Sequence, residues 1–186
     1  AEARKLIRKN ISKCNIALFG TRPAKLFADA DIRVLILIGK KDTPLTEGII
    51  HTTQEIKFTS EQKETILDNL RFESTNGLIL GKEKIGDNLE DMALPKLGYS
   101  LTRSIMLKLK EQSKATFKEK INESYGKPLQ FRKTGRYWLN ALEKMPYIST
   151  KIETIKLETE SERDFSIILI NSSLFYLYWA TYGNSR

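Results

Sequence analysis

The sequence predicts a two-part architecture, an α/β edge followed by a mixed α+β region, and three observations carry that expectation. Residues 14–19 and 32–38 are closely spaced apolar runs of strand length. Residues 48–58 alternate, with Ile50, Thr52, Gln54, Ile56 and Phe58 on one side, the period-two signature of a further strand. Residues 99–113 and 164–182 carry apolar side chains at helical spacing.

Taken in order, Leu6, Ile7 and Ile11 on a charged background read as the last turns of an amphipathic helix ending near Asn10. Residues 14–19 make a short strand closed by Gly20. Residues 32–38 are apolar apart from Arg33, the pattern of a strand buried on both faces. Only twelve residues separate Phe19 from Ile32. That is short for a helical crossover, so the two strands are expected to pair antiparallel. Lys40-Lys41-Asp42-Thr43-Pro44 is a turn. After the strand at 48–58, Thr59 with Gln62 three residues on is a capping-box pattern opening a helix, which Ile66, Leu67 and Leu70 would hold to a core. Residues 71–92 mix glycine, asparagine and charge and read as an excursion with a short strand at 78–80.

In 99–113, Leu101, Ile105 and Leu109 share a helix face while Lys108 and Lys110 point outward. Residues 114–127 are polar and read as a linker. Residues 129–132 are strand-like, Gly135-Arg136-Tyr137-Trp138 make a turn with a hairpin return, and 152–157 alternate as another strand. The helix over 164–182 carries Phe165, Ile168, Leu169, Leu174, Phe175, Tyr178 and Trp179, and is expected to kink near Asn171-Ser172-Ser173.

A net charge of +8 and a pI near 9.5 favour a nucleic-acid partner. No apolar run reaches the roughly 18 residues that span a bilayer, and no signal core follows the charged first residues, so no membrane partner is expected. The single cysteine, Cys14, forbids an internal disulfide and suits a reducing cytoplasm, the expected compartment. The chain opens on Ala1 inside a helical pattern and ends just past an apolar segment, and so reads as a piece of a longer polypeptide.

Side chains suited to catalysis are sparse. His51 is the one histidine and sits in an alternating strand; Cys14 lies on an apolar strand without a histidine partner. No Cys, His or carboxylate cluster has metal spacing, so no metal is expected, and no glycine-rich loop meets a nucleotide fingerprint. The loop from Gly20 to Phe27 is richer, with two cations, a proline and an aromatic. Loops at strand ends of α/β sheets are where substrates bind, which points to an anionic, stackable ligand. Arg22 and Lys25 suit phosphates; a solvated loop, with Arg22 bridged to Asp29 or Asp31, is the other reading. Arg132, Lys133, Arg136, Tyr137 and Trp138 form the densest mixture of cations and aromatics. Arginine there suits phosphate or guanine edges and the aromatics suit stacking; equally, Tyr137 and Trp138 would anchor a small β-domain while the cations face water.

Phe19-Gly20-Thr21-Arg22-Pro23-Ala24-Lys25-Leu26-Phe27, followed by a hydrophobic strand, resembles the adenine-N6 DNA methyltransferases of restriction–modification systems, Type IIG-like. Leu94-Pro95-Lys96-Leu97-Gly98 resembles the proline-lysine turn that follows their catalytic domain. Phe131-Arg132-Lys133-Thr134-Gly135-Arg136-Tyr137-Trp138 resembles the strand-turn opening their target-recognition region, and Ile170-Asn171-Ser172-Ser173-Leu174-Phe175-Tyr176-Leu177-Tyr178-Trp179 resembles the Leu-Asn-Ser-Ser-Leu-Phe helix of that region. The blocks keep the family's order over most of the chain.

The resemblance implies the C-terminal edge of a class I methyltransferase sheet, with antiparallel strands, over residues 1–58. A helical connector would follow over 59–120, then the start of a DNA target-recognition region over 121–186. It implies that Phe27 walls the pocket of a flipped adenine, as against a phenylalanine plugging the sheet edge. It implies DNA contacts at Arg22, Lys25, Arg132, Lys133, Arg136 and Tyr137. The methyl donor would be S-adenosylmethionine, bound by residues outside this chain, because neither the family's cofactor-binding glycine motif nor its Asn-Pro-Pro-aromatic motif occurs here. No cofactor is expected in the fragment, and it is not expected to transfer a methyl group by itself. Expected partners are double-stranded DNA and the rest of the parent polypeptide. The competing expectation is a non-catalytic nucleic-acid-binding or specificity module built from the same cations. A protein-interaction domain would instead scatter its lysines evenly.

Overall fold

Short connections and alternating side chains organise the chain as two units, 1–111 and 112–186. The computed structural model describes residues 10–29, 31–41, 49–80, 93–113, 117–122, 125–134 and 140–183. These residues give a mixed α/β chain with two small sheets, rich in antiparallel pairs, and few helices. The expected helix ending near Asn10 lies outside the described residues except at its end, where Ile11, read as part of it, instead begins a strand. Of the expected turn at 40–44, Lys40 and Lys41 belong to a strand and the rest, like the turn at 135–138, lies outside the described residues.

In the first unit, β1 (Ile11–Phe19), β2 (Val34–Lys41), β3 (Ile49–Ile56) and β4 (Glu73–Ser74) form one sheet in the order β2-β1-β3-β4. As the short connection requires, β1 and β2 are antiparallel, in a register running from Phe19 opposite Val34 to Ile11 opposite Lys41. β3 returns parallel to β1. The pairing steps from Ile16 opposite Thr52 to Leu18 opposite Glu55, so β3 carries an extra residue there. The Thr53 hydroxyl fills the interrupted ladder by accepting the Leu18 N–H at 3.1 Å.

Period-two alternation along β1 feeds a core on each face of the sheet. Cys14, Ile16 and Ile50 pack with Leu18, Leu37 and Leu94 on one side. Ala17, Phe19, Phe58 and Ile66 pack with Val34, Ile36 and Ile56 on the other, Phe19 and Phe58 meeting edge to face at 6.5 Å. The buried Thr52 hydroxyl straps the 93–98 segment to the sheet, donating to Pro95 O at 2.7 Å and accepting from Leu97 N at 3.1 Å.

Three expectations for this unit need correction. Residues 32–38 are not buried on both faces: β2 begins at Val34 and is an edge strand among the described residues, with Leu35 55% and Ile38 70% exposed. Residues 59–70 form two 3₁₀ turns, Ser60–Gln62 and Leu67–Asn69, where an α-helix was expected. The local cap is present, since Gln62 Oε1 accepts the Thr59 N–H at 3.0 Å. A cap does not sustain a helix without an apolar stripe, and here Ile66 is buried and Leu70 half-buried while Leu67 and residues 61–65 face solvent. Third, α1 (Ser100–Gln112) buries Met106, whereas Leu101 is exposed.

In the second unit, α2 (Phe117–Lys120) and β5 (Ile121–Asn122) occupy part of the expected linker. With β6 (Lys127–Arg132), β7 (Ala141–Leu142) and β8 (Ile152–Leu157), β5 forms an antiparallel sheet in the order β5-β8-β6-β7. Gly126, at φ +121°, opens β6 where a Cβ would strike the Leu157 carbonyl oxygen, so glycine is required. The expected kinked helix is two helices, α3 (Glu160–Ile170) and α4 (Ser173–Tyr182). Ser172 caps α4 by accepting the Phe175 N–H at 3.2 Å. Leu129, Ala141, Leu157 and Ile170 form the core beneath α3.

Candidate nucleic-acid interface

The carboxyl ends of the parallel strands β1 and β3 lie together, the place where open α/β sheets receive ligands. The loop leaving β1 is stitched to the chain leaving β3: Gly20 N donates to Ile56 O and Ala24 N to Phe58 O, each at 2.9 Å. Ala24 and Leu26 pack against the Phe19–Phe58 core. Leu26 therefore supplies the side chain that plugs this edge, and Phe27 stands 57% exposed. Arg22 is exposed, and Lys25 lies 3.5 Å from Asp31 with both partners open to solvent. Such an ion pair contributes little and gives way easily.

Beside this loop, three cations gather about one carboxylate. Glu55 Oε1 is 3.2 Å from Arg33 Nε, and its other oxygen is 3.8 Å from Lys57 Nζ. Lys96 is the third cation. Burial pushes its ammonium below the ordinary lysine value; Glu55 opposes the shift, and the like charges of Arg33 and Lys57 add to it. The base of the loop touches this group, since a Cβ on Gly20 would meet Glu55 Oε1 and Lys57 Cγ at 3.4 Å. The excess positive charge suits an anion at the sheet end.

Glu55 and Lys57 were not among the residues singled out from the sequence, and Lys96 was named only as part of the proline-lysine turn. Arg33 interrupting an apolar run and the Glu55, Lys57 alternation were the available signals. The approach of Lys96 depends on Thr52 strapping its segment across the sheet.

Alongside, a groove of about 400 Å³ opens off the edge of β3, with Gln54, Lys57, Gln62, Asn69, Arg71 and Tyr99 among its walls. The Arg71 guanidinium carbon lies 5.3 Å from the centroid of the Tyr99 ring, a cation–π contact.

In the second unit, Arg132 ends β6 with its side chain exposed, and Lys133 pairs with Glu153 at 3.2 Å. Phe131 turns into the core. Arg136 and Tyr137, expected as DNA contacts, and Trp138, expected as an anchor, lie outside the described residues. A second basic centre is structural: Arg163 is buried, reaching Asp164 at 2.8 Å, Glu143 at 2.9 Å and Glu160 at 3.0 Å. The Asp164 hydrogen bond raises its pKa further above the arginine value.

Groups suited to nucleophilic or metal chemistry lie elsewhere. Cys14 is buried, and burial pushes its thiol pKa up, the opposite of an activated nucleophile. His51 Nδ1 is buried without a hydrogen-bond partner among the described residues. Burial, with Tyr178 adjacent, pushes the Tyr182 phenol up to about 12. Among the described residues no three His, Cys, Asp or Glu side chains are grouped to hold a metal, and no helix is long and apolar enough to cross a membrane. Comparisons with known protein families, with curated proteins and with solved structures find no match for this chain.

Proposed function

We propose that this chain is a DNA-contacting part of a Type IIG-like adenine-N6 DNA methyltransferase of a restriction–modification system, spanning the end of the methylase domain and the start of the target-recognition region. The observation that carries the reading is the exposure of Phe27 on the loop between antiparallel strands β1 and β2, a loop that carries Arg22 and Lys25 and whose base at Gly20 adjoins Glu55 and Lys57. Methylating an adenine amino group requires the base to leave the stack, and an aromatic face that receives it contributes roughly 1–3 kcal/mol. On this reading Phe27 is that face, with Arg22 and Lys25 against the flanking phosphates. S-adenosylmethionine, bound by residues elsewhere in the parent enzyme, supplies the methyl group. Double-stranded DNA and the rest of that polypeptide are the partners.

The test is equilibrium binding of the whole chain to a fluorescent DNA duplex across about 50 to 200 mM salt. Affinity should fall steeply, because phosphate contacts release counterions. Arg22→Gln with Lys25→Gln should weaken binding equally on different sequences and reduce the salt slope by about two. A chain that ignores duplex DNA, or binds it without regard to salt, contradicts the proposal.

A further inference from the structure

The groove lies at the edge of β3, past the end of its short neighbour β4. β4 pairs only with His51 and Thr52, so from Thr53 onward β3 has no strand on that side among the described residues. The opening, about 400 Å³, is in the size range of small-ligand sites. Backbone groups fix two amides in its walls. Gln62 Oε1 accepts the Thr59 N–H at 3.0 Å, which leaves Nε2 as a donor. Asn69 Nδ2 donates to the Thr65 carbonyl at 3.0 Å, which leaves Oδ1 as an acceptor. Neither remaining atom has a protein partner among the described residues. A third amide, Gln54, is exposed in the same wall.

Beside these amides stands the Arg71–Tyr99 cation–π pair, and Tyr99 is 43% exposed. Lys57, shared with the Arg33, Glu55 and Lys96 group, lines the groove as well. Oriented amides read base edges, an aromatic or guanidinium plane stacks on base faces, and a lysine takes phosphate. Ile56, Phe58, Ile66 and Leu70 line the groove as well, so its walls are mixed polar and apolar, as suits a base with its adjoining phosphate.

We propose that this groove holds one unstacked nucleobase with its adjoining phosphate. The base edge meets Gln62 and Asn69, its face lies on the Arg71–Tyr99 pair, and the phosphate rests near Lys57. The inference rests on the DNA-binding reading and adds a base position formed by residues other than the Phe27 loop.

The experiment uses the whole chain and a single-stranded oligonucleotide carrying one 2-aminopurine flanked on both sides by abasic sites, so that its fluorescence is quenched only by stacking on the protein. Binding should quench the probe. Tyr99→Ala should weaken binding about tenfold, in line with the loss of one stacked base, while Tyr99→Phe holds affinity within about twofold. Lys57→Gln should lower the salt slope by about one. Displacement of the oligonucleotide by deoxyadenosine monophosphate assigns the groove to a free nucleotide; failure to displace it, with the Tyr99→Ala loss intact, assigns it to a strand. Duplex binding without probe quenching, or a folded Tyr99→Ala variant equal to wild type, overturns the groove and leaves the DNA reading standing. Quenching without duplex binding does the reverse.

Discussion

Lys96 illustrates how a single charge ties the sheet end to pH. Burial lowers its pKa below 10.5, and this outweighs the attraction of Glu55. Below the depressed value both folded and unfolded chains hold the proton, and the folded state bears the full cost of burying the charge. Between that value and 10.5 the unfolded chain holds more proton, so the contribution of Lys96 to stability rises with pH across this window. Lys96→Met removes the titration. Its stability relative to wild type should therefore be most favourable near pH 7 and decline towards about pH 10 in chemical denaturation; a difference independent of pH contradicts the assignment. Phe27 is the opposite case, a large apolar side chain left more than half exposed and outside the buried clusters of the described residues. Phe27→Ala should shift the denaturation midpoint by no more than about 0.5 kcal/mol of stability, the usual size for a surface change. In the full enzyme the same variant should lower methyl transfer, and an unfolded or fully active variant would speak against a base-stacking role.

At the scale of elements, the Asn171-Ser172-Ser173 break does more than end a helix. Asn171 Nδ2 donates to the Ala141 carbonyl at 2.8 Å, and its Oδ1 accepts the Ala141 N–H at 3.0 Å. One amide thus continues the ladder of β7, the outer strand of its sheet, as a further strand would. Ser172 then starts the next helix. Asn171→Ala should lower stability by about 1–2 kcal/mol, two hydrogen bonds at the usual net contribution, seen as a lower urea midpoint at unchanged slope. The α3 start follows the same logic, with Thr159 accepting the Glu162 N–H at 3.2 Å and Glu162 reaching back to the Thr159 N–H at 3.3 Å. That cap was legible as threonine followed by glutamate three residues on, yet the sequence expectation began the helix at Asp164, where the apolar period starts.

For the whole molecule, the excess of 31 lysines and arginines over 23 acids is a long-range property that sequence alone supplies, and it underlies the steep salt dependence expected of DNA binding. Strand positions were equally legible. Alternation and short loops are local, and they placed β3 and β8, the antiparallel partnership of β1 with β2, and the break near Asn171. The failures share one cause. Whether 59–70 coils into an α-helix, and whether Leu35 and Ile38 are covered, depends on what lies against them, and no local pattern encodes a neighbour. The same holds for the site. Arg22, Lys25 and Phe27 are contiguous and could be read directly. The Glu55 cluster and the amide groove draw on segments brought together only when Thr52 binds the 93–98 segment and β4 stops short on β3. Charge, strand periodicity and the basic aromatic loop were thus fixed by the order of residues. Tertiary structure alone decided which of those charges share a carboxylate and which amides face an open space, because separation in sequence carries no information about proximity once strands pair.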